Sequence, residues 1–285
     1  MENVIEIKNL NKKYSDFELS NITFNIPKGK VVGLIGENGS GKTTTIKAIL
    51  NLININSGEI TILGKNNKKL SKYDKEQIGV VLDDSFFSSQ YFIYDIDKIM
   101  KQLYSNWDSN TYIEYITKFK LPTNKKIKNF SNGMKMKLKI ACALSHNSKV
   151  LILDEPTNGL DPVFRYEILD ILSNLVTEEK ISILLSTHIT TDLEHIADEI
   201  VFINNGRILL SENKKKLFSN YKIAKVLIDE FDNIDKDDYI KYLKYKDDYL
   251  ILIKDYNDFI KKYPNIVIQN DSLEELMLMF IKGVD

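Results

Sequence analysis

The chain has 285 residues, with 39 Lys and Arg against 40 Asp and Glu, and 43% of it is hydrophobic. This length accommodates one large domain and a smaller one, with enough apolar residues for a packed core. The net charge of −1 argues against a nucleic-acid-binding protein, and no apolar run approaches the roughly 20 residues of a membrane-spanning helix. A single cysteine excludes an internal disulfide, so we expect a cytoplasmic protein.

The first part of the chain alternates short apolar strands with turn signals. Strands are predicted at residues 4–7, 17–19, 22–26 and 59–63, which indicates a mostly antiparallel layer. Tyr14 follows two lysines on a polar turn in this region. An exposed aromatic ring there could stack on adenine, and a partly buried structural tyrosine is the alternative.

Residues 36–43, GENGSGKT, fit the phosphate-loop pattern of Gly, four residues, then Gly-Lys-Ser/Thr. An apolar strand at 31–35 precedes them and a helix follows from Thr44, which is the context that this motif requires. Backbone N–H groups of such a loop converge on phosphate oxygens. Lys42 is predicted to neutralise phosphate and Thr43 to bind Mg²⁺. An ordinary glycine-rich turn is the alternative.

A helical insertion is predicted after a strand at residues 78–82. From 84 to 130 the apolar residues recur at helical spacing, and the aromatic residues are expected to pack inside: Trp107, Tyr112, Tyr115 and Phe119. Ser131 then resembles the N-cap of a helix that runs to residue 144. That helix terminus is predicted to face a ligand, with an ordinary capped helix as the alternative.

Two buried strands in the second half of the chain end in polar residues. Residues 150–153 lead into Asp154 and Glu155, and residues 181–185 lead into His188. Buried carboxylates need compensation such as a metal ion, so Asp154 is predicted to hold Mg²⁺ through water. Glu155 is predicted to orient or deprotonate an attacking water. His188 would lie at the carboxyl end of a central parallel strand, where open α/β sheets bind ligands.

The pattern changes again in the last part of the chain, which predicts a small α/β appendage. The predicted segments are strands at 226–228, 249–253 and 265–268, helices at 238–243 and 256–262, and a final helix opened by a capping box at 272–275.

In their order and spacing these motifs resemble the ATP-binding cassette of the ABC transporter superfamily, over residues 1 to about 215. Tyr14 matches its adenine-stacking aromatic, residues 131–133 its signature motif, Asp161 its D-loop and His188 its switch histidine. The resemblance implies ATP and Mg²⁺ as cofactors. It also implies a head-to-tail dimer, in which Ser131 and the Gly133 amide bind the γ-phosphate in trans.

The resemblance thus assigns catalysis to Glu155 and His188, and Mg²⁺ binding to Thr43 and Asp154; Asp83 is predicted as a third Mg²⁺ ligand from its own chemistry. The nucleotide-binding residues that it implies are Tyr14, Gly36, Asn38, Gly39, Ser40, Gly41, Lys42, Thr43, Thr44, Ser131 and Gly133. The chain departs from the family pattern at two positions. Asn132 replaces a glycine of the signature, and Asp83 replaces the Q-loop glutamine with a carboxylate suited to Mg²⁺. Alternatively, Asp83 faces solvent or caps a turn.

The expected fold is α/β: a phosphate-loop NTPase core of mostly parallel sheet with an antiparallel β subdomain. The cassette is predicted at 1–218, with its helical subdomain at 84–130, and an accessory domain at 219–285. The tail resembles that of Gram-positive exporter cassettes for drugs, lantibiotics and amphipathic peptides. The alternative is a final helix that only closes its own small core.

The expected function is ATP hydrolysis that powers export of a peptide, drug or other substrate through a separate membrane permease. The chain would work as a homodimer or related heterodimer at the inner face of the cell membrane, without nucleic acid. The alternatives are a soluble ABC ATPase acting on ribosomes or DNA, and a nucleotide-binding regulatory scaffold.

Overall fold

A computed structural model describes residues 2–82, 87–245, 247–269 and 272–284. The described strands are β1 (Asn3–Lys13), β2 (Glu18–Pro27), β3 (Val31–Ile35), β4 (Ser57–Ile62), β5 (Lys65–Asn66), β6 (Ile78–Val81), β7 (Val150–Asp154), β8 (Ser182–Thr187), β9 (Glu199–Asn204), β10 (Arg207–Asn213), β11 (Lys222–Leu227), β12 (Tyr239–Tyr245), β13 (Asp248–Ile253) and β14 (Val267–Ile268). The described α-helices are α1 (Lys42–Ile49), α2 (Lys72–Lys75), α3 (Ile93–Leu103), α4 (Ser109–Lys118), α5 (Asn132–Leu144), α6 (Pro162–Thr177), α7 (Thr190–Ile196), α8 (Lys214–Asn220), α9 (Ile228–Phe231), α10 (Tyr256–Lys262) and α11 (Leu273–Lys282).

The central sheet has six strands in the order β10-β9-β3-β8-β7-β6. All neighbours pair in parallel except β10, which is antiparallel to β9. Strands β3, β7 and β8 are buried along their whole length, since apolar residues face both sides. In the register of these strands, Ile35 pairs with Thr187 and Asp154 pairs with Ser186. The three carboxyl ends are therefore level, and the loops that follow them share one edge.

Each face of the central sheet has its own hydrophobic core. On one face lies the antiparallel sheet β2-β1-β4-β5 together with α1, and its core includes Ile5, Ile22 and Ile46. The opposite face is covered by helices, with Leu138 of α5 and Leu172 of α6 fully or nearly fully buried. The expected mostly antiparallel layer is confirmed. Two layers on the sheet hold the loop edge rigidly.

The predicted helical insertion consists of α3, α4 and a short 3₁₀ turn at Ile127–Asn129. Tyr112 and Phe119 are buried as expected, and the Tyr112 hydroxyl donates to the carbonyl oxygen of Ile93 at 3.2 Å. Burial raises the pKa of Tyr112 well above its ordinary value. Trp107 is half-buried and donates from Nε1 to Asp97 at 2.8 Å. These aromatic residues are structural.

The last part of the chain forms a third sheet, antiparallel, in the order β12-β13-β11-β14. One face packs on α9 and α10 through Val226 and Phe259. Its other face packs on α11, and the core there is continuous with that of the cassette, since Leu276 and Met279 belong to the same buried cluster as α5 and α6. The predicted boundary at residue 218 falls inside α8 and stays a prediction.

One predicted element of this region is wrong: residues 238–243 were expected to be helical, and they enter strand β12. Leu243 pairs with Leu250 of β13, while Tyr242 packs its ring 5.2 Å from that of Phe231. A helix of six residues is marginal alone, whereas aromatic residues gain from cross-strand packing, so the neighbouring strand decides. The predicted helix at 256–262 is confirmed, and Ser272 caps α11 by accepting from the Glu275 N–H at 3.4 Å.

Candidate nucleotide-binding and catalytic site

The phosphate loop leaves β3 and enters α1 at Lys42, in the strand–loop–helix context predicted. Gly39 and Gly41 have φ angles of +82° and +113°, in the left-handed region that favours glycine. At Gly36 a Cβ atom would lie 2.1 Å from the carbonyl oxygen of Ile203, so a side chain is excluded there. The loop is a tight backbone turn with its helix N-terminus at the shared loop edge. Asn38 on this loop is exposed, and Thr44 in the first turn of α1 is half-buried.

Lys42 is buried with 5% exposure inside this loop. Its ammonium donates to the carbonyl oxygens of Gly36 at 2.8 Å and Glu37 at 3.2 Å, and lies 3.1 Å from Oε1 of Glu155. The Ser40 hydroxyl is also buried and has no hydrogen-bond partner among the residues that the structure describes. Buried polar atoms are nearly always paired, so the loop suits a ligand rich in acceptor oxygens. Phosphate has this chemistry.

Asp154 lies at the end of β7 with 5% exposure. Its Oδ2 accepts from the Thr43 hydroxyl at 2.8 Å, and its Oδ1 accepts from the Ser186 hydroxyl. The structure thus brings together the two described residues predicted to bind Mg²⁺. A hydroxyl and a carboxylate side by side are the hard oxygen ligands that Mg²⁺ prefers. The third predicted metal ligand, Asp83, lies outside the described residues.

Glu155 adopts a left-handed backbone conformation with φ +50°. Its N–H donates to the carbonyl and hydroxyl oxygens of Ser186, both at 3.1 Å. The Glu155 side chain lies between His188 and Lys42. Its Oε2 is 2.7 Å from Nδ1 of His188, and its Oε1 is close to the Lys42 ammonium. Both predicted catalytic residues therefore contact each other, and the carboxylate is held by a group at each oxygen.

The remaining predicted residues lie elsewhere. Tyr14 is 43% exposed, with the Lys12 ammonium 4.8 Å from its ring centroid. Ser131 is the exposed N-cap of α5 and accepts from the Met134 N–H at 3.2 Å, while Gly133 is buried where a Cβ would meet the Phe164 ring at 3.0 Å. Within the described ranges, no hydrogen bond or ion pair joins these positions to the phosphate loop.

Sequence reasoning missed three residues that build this edge. The Ser186 hydroxyl donates to Asp154, the last residue of β7, and accepts from the N–H of Glu155, the next residue. The available signal was a serine at the polar end of an apolar strand, two positions before His188. Asp192 is fully buried in α7 and pairs with Arg165 of α6. The available signal was that Arg165 is one of only two arginines among 39 basic residues. Arginine suits buried carboxylates better than lysine does, so its rare use was informative.

The chain has extensive similarity to known proteins. The family model described as ABC transporter matches residues 19–158. The lantibiotic transport ATP-binding protein SrtF of Streptococcus pyogenes is 38% identical over 226 residues, covering 76% of this chain and 96% of SrtF. The bacitracin transport ATP-binding protein BcrA of Enterococcus faecalis is 34% identical over 220 residues, covering 76% of this chain and 71% of BcrA.

Solved structures show the same fold. A structure described as the ATP-binding subunit of an ABC transporter superposes with a TM-score of 0.67 at 28% identity, covering 76% of this chain and 92% of that one. The dimeric cassette MJ0796, bound to ADP and Pi after hydrolysis, gives a TM-score of 0.65 at 23% identity, covering 73% and 98%.

These similarities confirm the fold class expected from the motifs. Across the described ranges, no helix combines the length and apolarity needed to cross a bilayer. The phosphate loop, Asp154, Glu155 and His188 lie at one edge of the central sheet. The chain belongs to the ABC transporter family, as an ATP-binding cassette whose ATPase activity is coupled to transport.

Proposed function

We propose that the chain powers export of a peptide antibiotic, such as a lantibiotic or bacitracin, through a separate membrane-spanning permease. The observation that carries the ATPase part is the convergence of Lys42, Glu155 and His188 at one sheet edge. The substrate class is supported by relatives named for lantibiotic and bacitracin transport. On this proposal the chain is peripheral to the inner face of the cell membrane.

In the proposed mechanism the phosphate loop binds the ATP phosphates through its backbone N–H groups and Lys42. Thr43 and Asp154 would hold Mg²⁺, which supplies charge neutralisation on the phosphates. Glu155 positions the attacking water and takes its proton. Because Lys42 also pairs with Glu155 at 3.1 Å, phosphate and carboxylate compete for one ammonium. Phosphate binding therefore releases one oxygen of the base.

One part of the proposed site comes from a second cassette. Ser131 and Gly133 lie at the N-terminus of α5, where the exposed Ser131 could reach the nucleotide of a second cassette. The second cassette is another copy of this chain or a related one. Tyr14 is exposed enough to stack on adenine, and His188 is proposed to contact the γ-phosphate within its own chain. Asp83 as a metal ligand stays a prediction.

An apolar groove supports the permease as partner. It encloses about 700 Å³ between the edge strand β6 and helices α3 and α5, and its lining includes Val80, Ile99, Tyr104 and Cys142. Leu103 stands on the rim with 57% exposure. Exposed apolar surface of this kind marks an interaction site, and we propose that a short cytoplasmic helix of the permease occupies it.

The test is purification of the tagged chain from native membranes in mild detergent, followed by mass spectrometry of the bound proteins. We expect one polytopic membrane protein to remain bound to the parent chain. Leu103→Glu places a charge on the groove and should release that protein. The matched control Leu227→Glu changes a leucine of the same 57% exposure in the third sheet and should retain it. Recovery of only ribosomal proteins would refute the proposal.

The substrate class is tested on the captured complex. After reconstitution in liposomes with the cassette outside, ATP should drive bacitracin or a lantibiotic into the lumen. Glu155→Gln is the matched control, and it should abolish accumulation. If neither peptide accumulates while the parent complex still hydrolyses ATP, the peptide assignment is wrong and the transport ATPase assignment stands.

A further inference from the structure

A buried carboxylate, Asp192, lies behind the catalytic edge. It belongs to the first turn of α7 and has 0% exposure. Its Oδ2 accepts from the hydroxyls of Thr157 and, at 3.4 Å, Thr187, and its Oδ1 accepts from Nε of Arg165. A buried charge is tolerated when it is paired and hydrogen-bonded. The four side chains therefore form one connected unit.

These donors come from three separate segments of the catalytic edge. Thr157 lies two residues after Glu155, and Thr187 directly precedes His188. Arg165 lies in the first turns of α6. One carboxylate thus joins the turn after β7, the end of β8 and helix α6. Moving Asp192 would change the spacing between the segments that carry the base and the histidine.

The conformation of Glu155 makes this spacing important. A left-handed backbone at a non-glycine residue is strained and persists only where its surroundings determine it. On its N-terminal side, Glu155 is held to β8 by its own N–H, which donates to the carbonyl and hydroxyl oxygens of Ser186. After Glu155 the turn is held by the bond from Thr157 to Asp192. The strained residue is fixed on both sides.

We propose that Asp192 is a positioning residue for ATP hydrolysis, acting through Thr157 and Thr187 on Glu155 and His188. Asp192 is fully buried and bonded to protein side chains, and it sets the distance between the two strand-end turns. The inference rests on the proposed function, in particular on the catalytic roles of Glu155 and His188. It adds the buried residue that positions these two side chains.

The first test is steady-state ATP hydrolysis by the full chain carrying Asp192→Asn. Asparagine has the same size but presents an NH₂ group that cannot accept a hydrogen bond. The variant therefore loses the hydrogen bonds that one of the two carboxylate oxygens of Asp192 accepts. We expect kcat to fall about 10- to 100-fold, because small misplacement of a catalytic group has effects of this order. KM for ATP should change less than about 3-fold, since the phosphate loop is untouched.

The matched control is Asp170→Asn. Asp170 of α6 lies 2.9 Å from His195 of α7, so it also links these two helices, but on the surface. Loss of this link should leave kcat near the parent value. An equal fall in both variants would show that any loosening between α6 and α7 slows hydrolysis, and it would overturn the proposal.

A double variant separates positioning from general damage. In the Glu155→Gln background, Asp192→Asn should lower the residual rate by less than about 3-fold, because the base is already lost and only the position of His188 remains to be disturbed. The same large fall in both backgrounds overturns the inference. If Glu155→Gln alone keeps the parent rate, the catalytic role that the proposed function gives to Glu155 is wrong, whereas failure of the Asp192 variants alone refutes only this inference, so the two failures are distinguishable.

A second pair of variants covers the case in which Asp192→Asn does not fold. Thr157→Val keeps the shape of the side chain but removes its hydroxyl, whereas Thr157→Ser keeps the hydroxyl. We expect Thr157→Val to lower kcat about 3- to 30-fold and Thr157→Ser to restore most of it, because only the serine can still bond Asp192. Parent-level kcat in both variants would overturn the proposal.

Discussion

At the scale of single residues, each carboxylate oxygen of the site has a partner within the chain. Lys42 and His188 hold the two oxygens of Glu155, and Thr43 and Ser186 hold those of Asp154. Both carboxylates are therefore fully paired within the chain, and in the proposed mechanism phosphate takes Lys42 from one oxygen of Glu155.

Glu155→Gln tests the proposed base. The amide cannot accept a proton, so we expect turnover to fall by roughly 10²- to 10⁴-fold. It also cannot form an ion pair with Lys42, so ATP affinity should stay equal or increase. Rates come from phosphate release and affinities from equilibrium binding of labelled ATP. Glu59→Gln, an exposed glutamate on β4, is the control that should change neither. Parent-level turnover in Glu155→Gln would contradict the assignment.

Tyr14 offers a prediction about binding alone. Stacking of a base on an aromatic ring contributes roughly 1–3 kcal/mol, so Tyr14→Ala should weaken ATP binding about 5- to 150-fold. Turnover at saturating ATP should change little, because the phosphate site is untouched. Tyr14→Phe keeps the ring and should bind ATP almost as the parent chain does. Equal affinity in all three proteins would assign Tyr14 a structural role.

At the scale of elements, α11 is the helix that joins the third sheet to the cassette. Its first N–H, at Leu273, donates to Oε1 of Glu194 in α7 at 2.7 Å. Phe280 packs edge-on against Tyr221 with ring centroids 5.3 Å apart. The apolar face of α11 is thus covered by residues on both sides, which explains its deep burial.

Leu276→Ala tests this shared core. Leu276 has 2% exposure, and removal of a buried leucine side chain costs about 2–5 kcal/mol of stability. Differential scanning calorimetry should show a clearly lower unfolding temperature. Leu227→Ala, at 57% exposure, is the matched control and should cost less than about 0.5 kcal/mol. A loss confined to a separate low-temperature transition would show that the appendage unfolds independently of the cassette.

At the scale of the whole molecule, the stability should depend on pH through a buried histidine. His146 has 1% exposure, stacks on Tyr104 with ring centroids 4.3 Å apart, and has Nδ1 2.7 Å from the carbonyl oxygen of Glu76. Burial lowers the pKa of His146 below its ordinary value of 6.5, and the Glu76 carbonyl opposes this only in part.

The sign follows from proton binding in the two states. Below pH 6.5 the unfolded chain protonates His146 while the folded chain does not, so stability falls with pH until the folded pKa is reached. Above pH 6.5 both states are neutral and this contribution is complete. Urea unfolding of the parent and of His146→Gln between pH 5 and 8 checks the prediction. The parent should lose more stability than the variant as pH falls, and parallel profiles would contradict it.

The sequence by itself determined the chemistry of the loop edge. The pattern in residues 36–43 places glycine where left-handed backbone angles or the carbonyl of Ile203 exclude a side chain. The glycines of the motif therefore predict the backbone conformation of the loop. The strands that lead to Asp154 and His188 were equally readable, because strands buried on both faces carry continuous apolar runs, here 150–153 in β7 and 183–185 in β8.

Tertiary structure alone decided the contacts between distant segments. Asp192 and Arg165 lie 27 positions apart on two helices, and local periodicity does not say that they meet. Residues 239–245 became a strand because β13 lies beside them, and their local pattern did not decide between helix and strand. The apolar face of α11 was visible in the sequence, but its partner was not, because hydrophobic attraction has no direction and any complementary surface satisfies it. Its position between the third sheet and α7 follows from the packing of the whole chain.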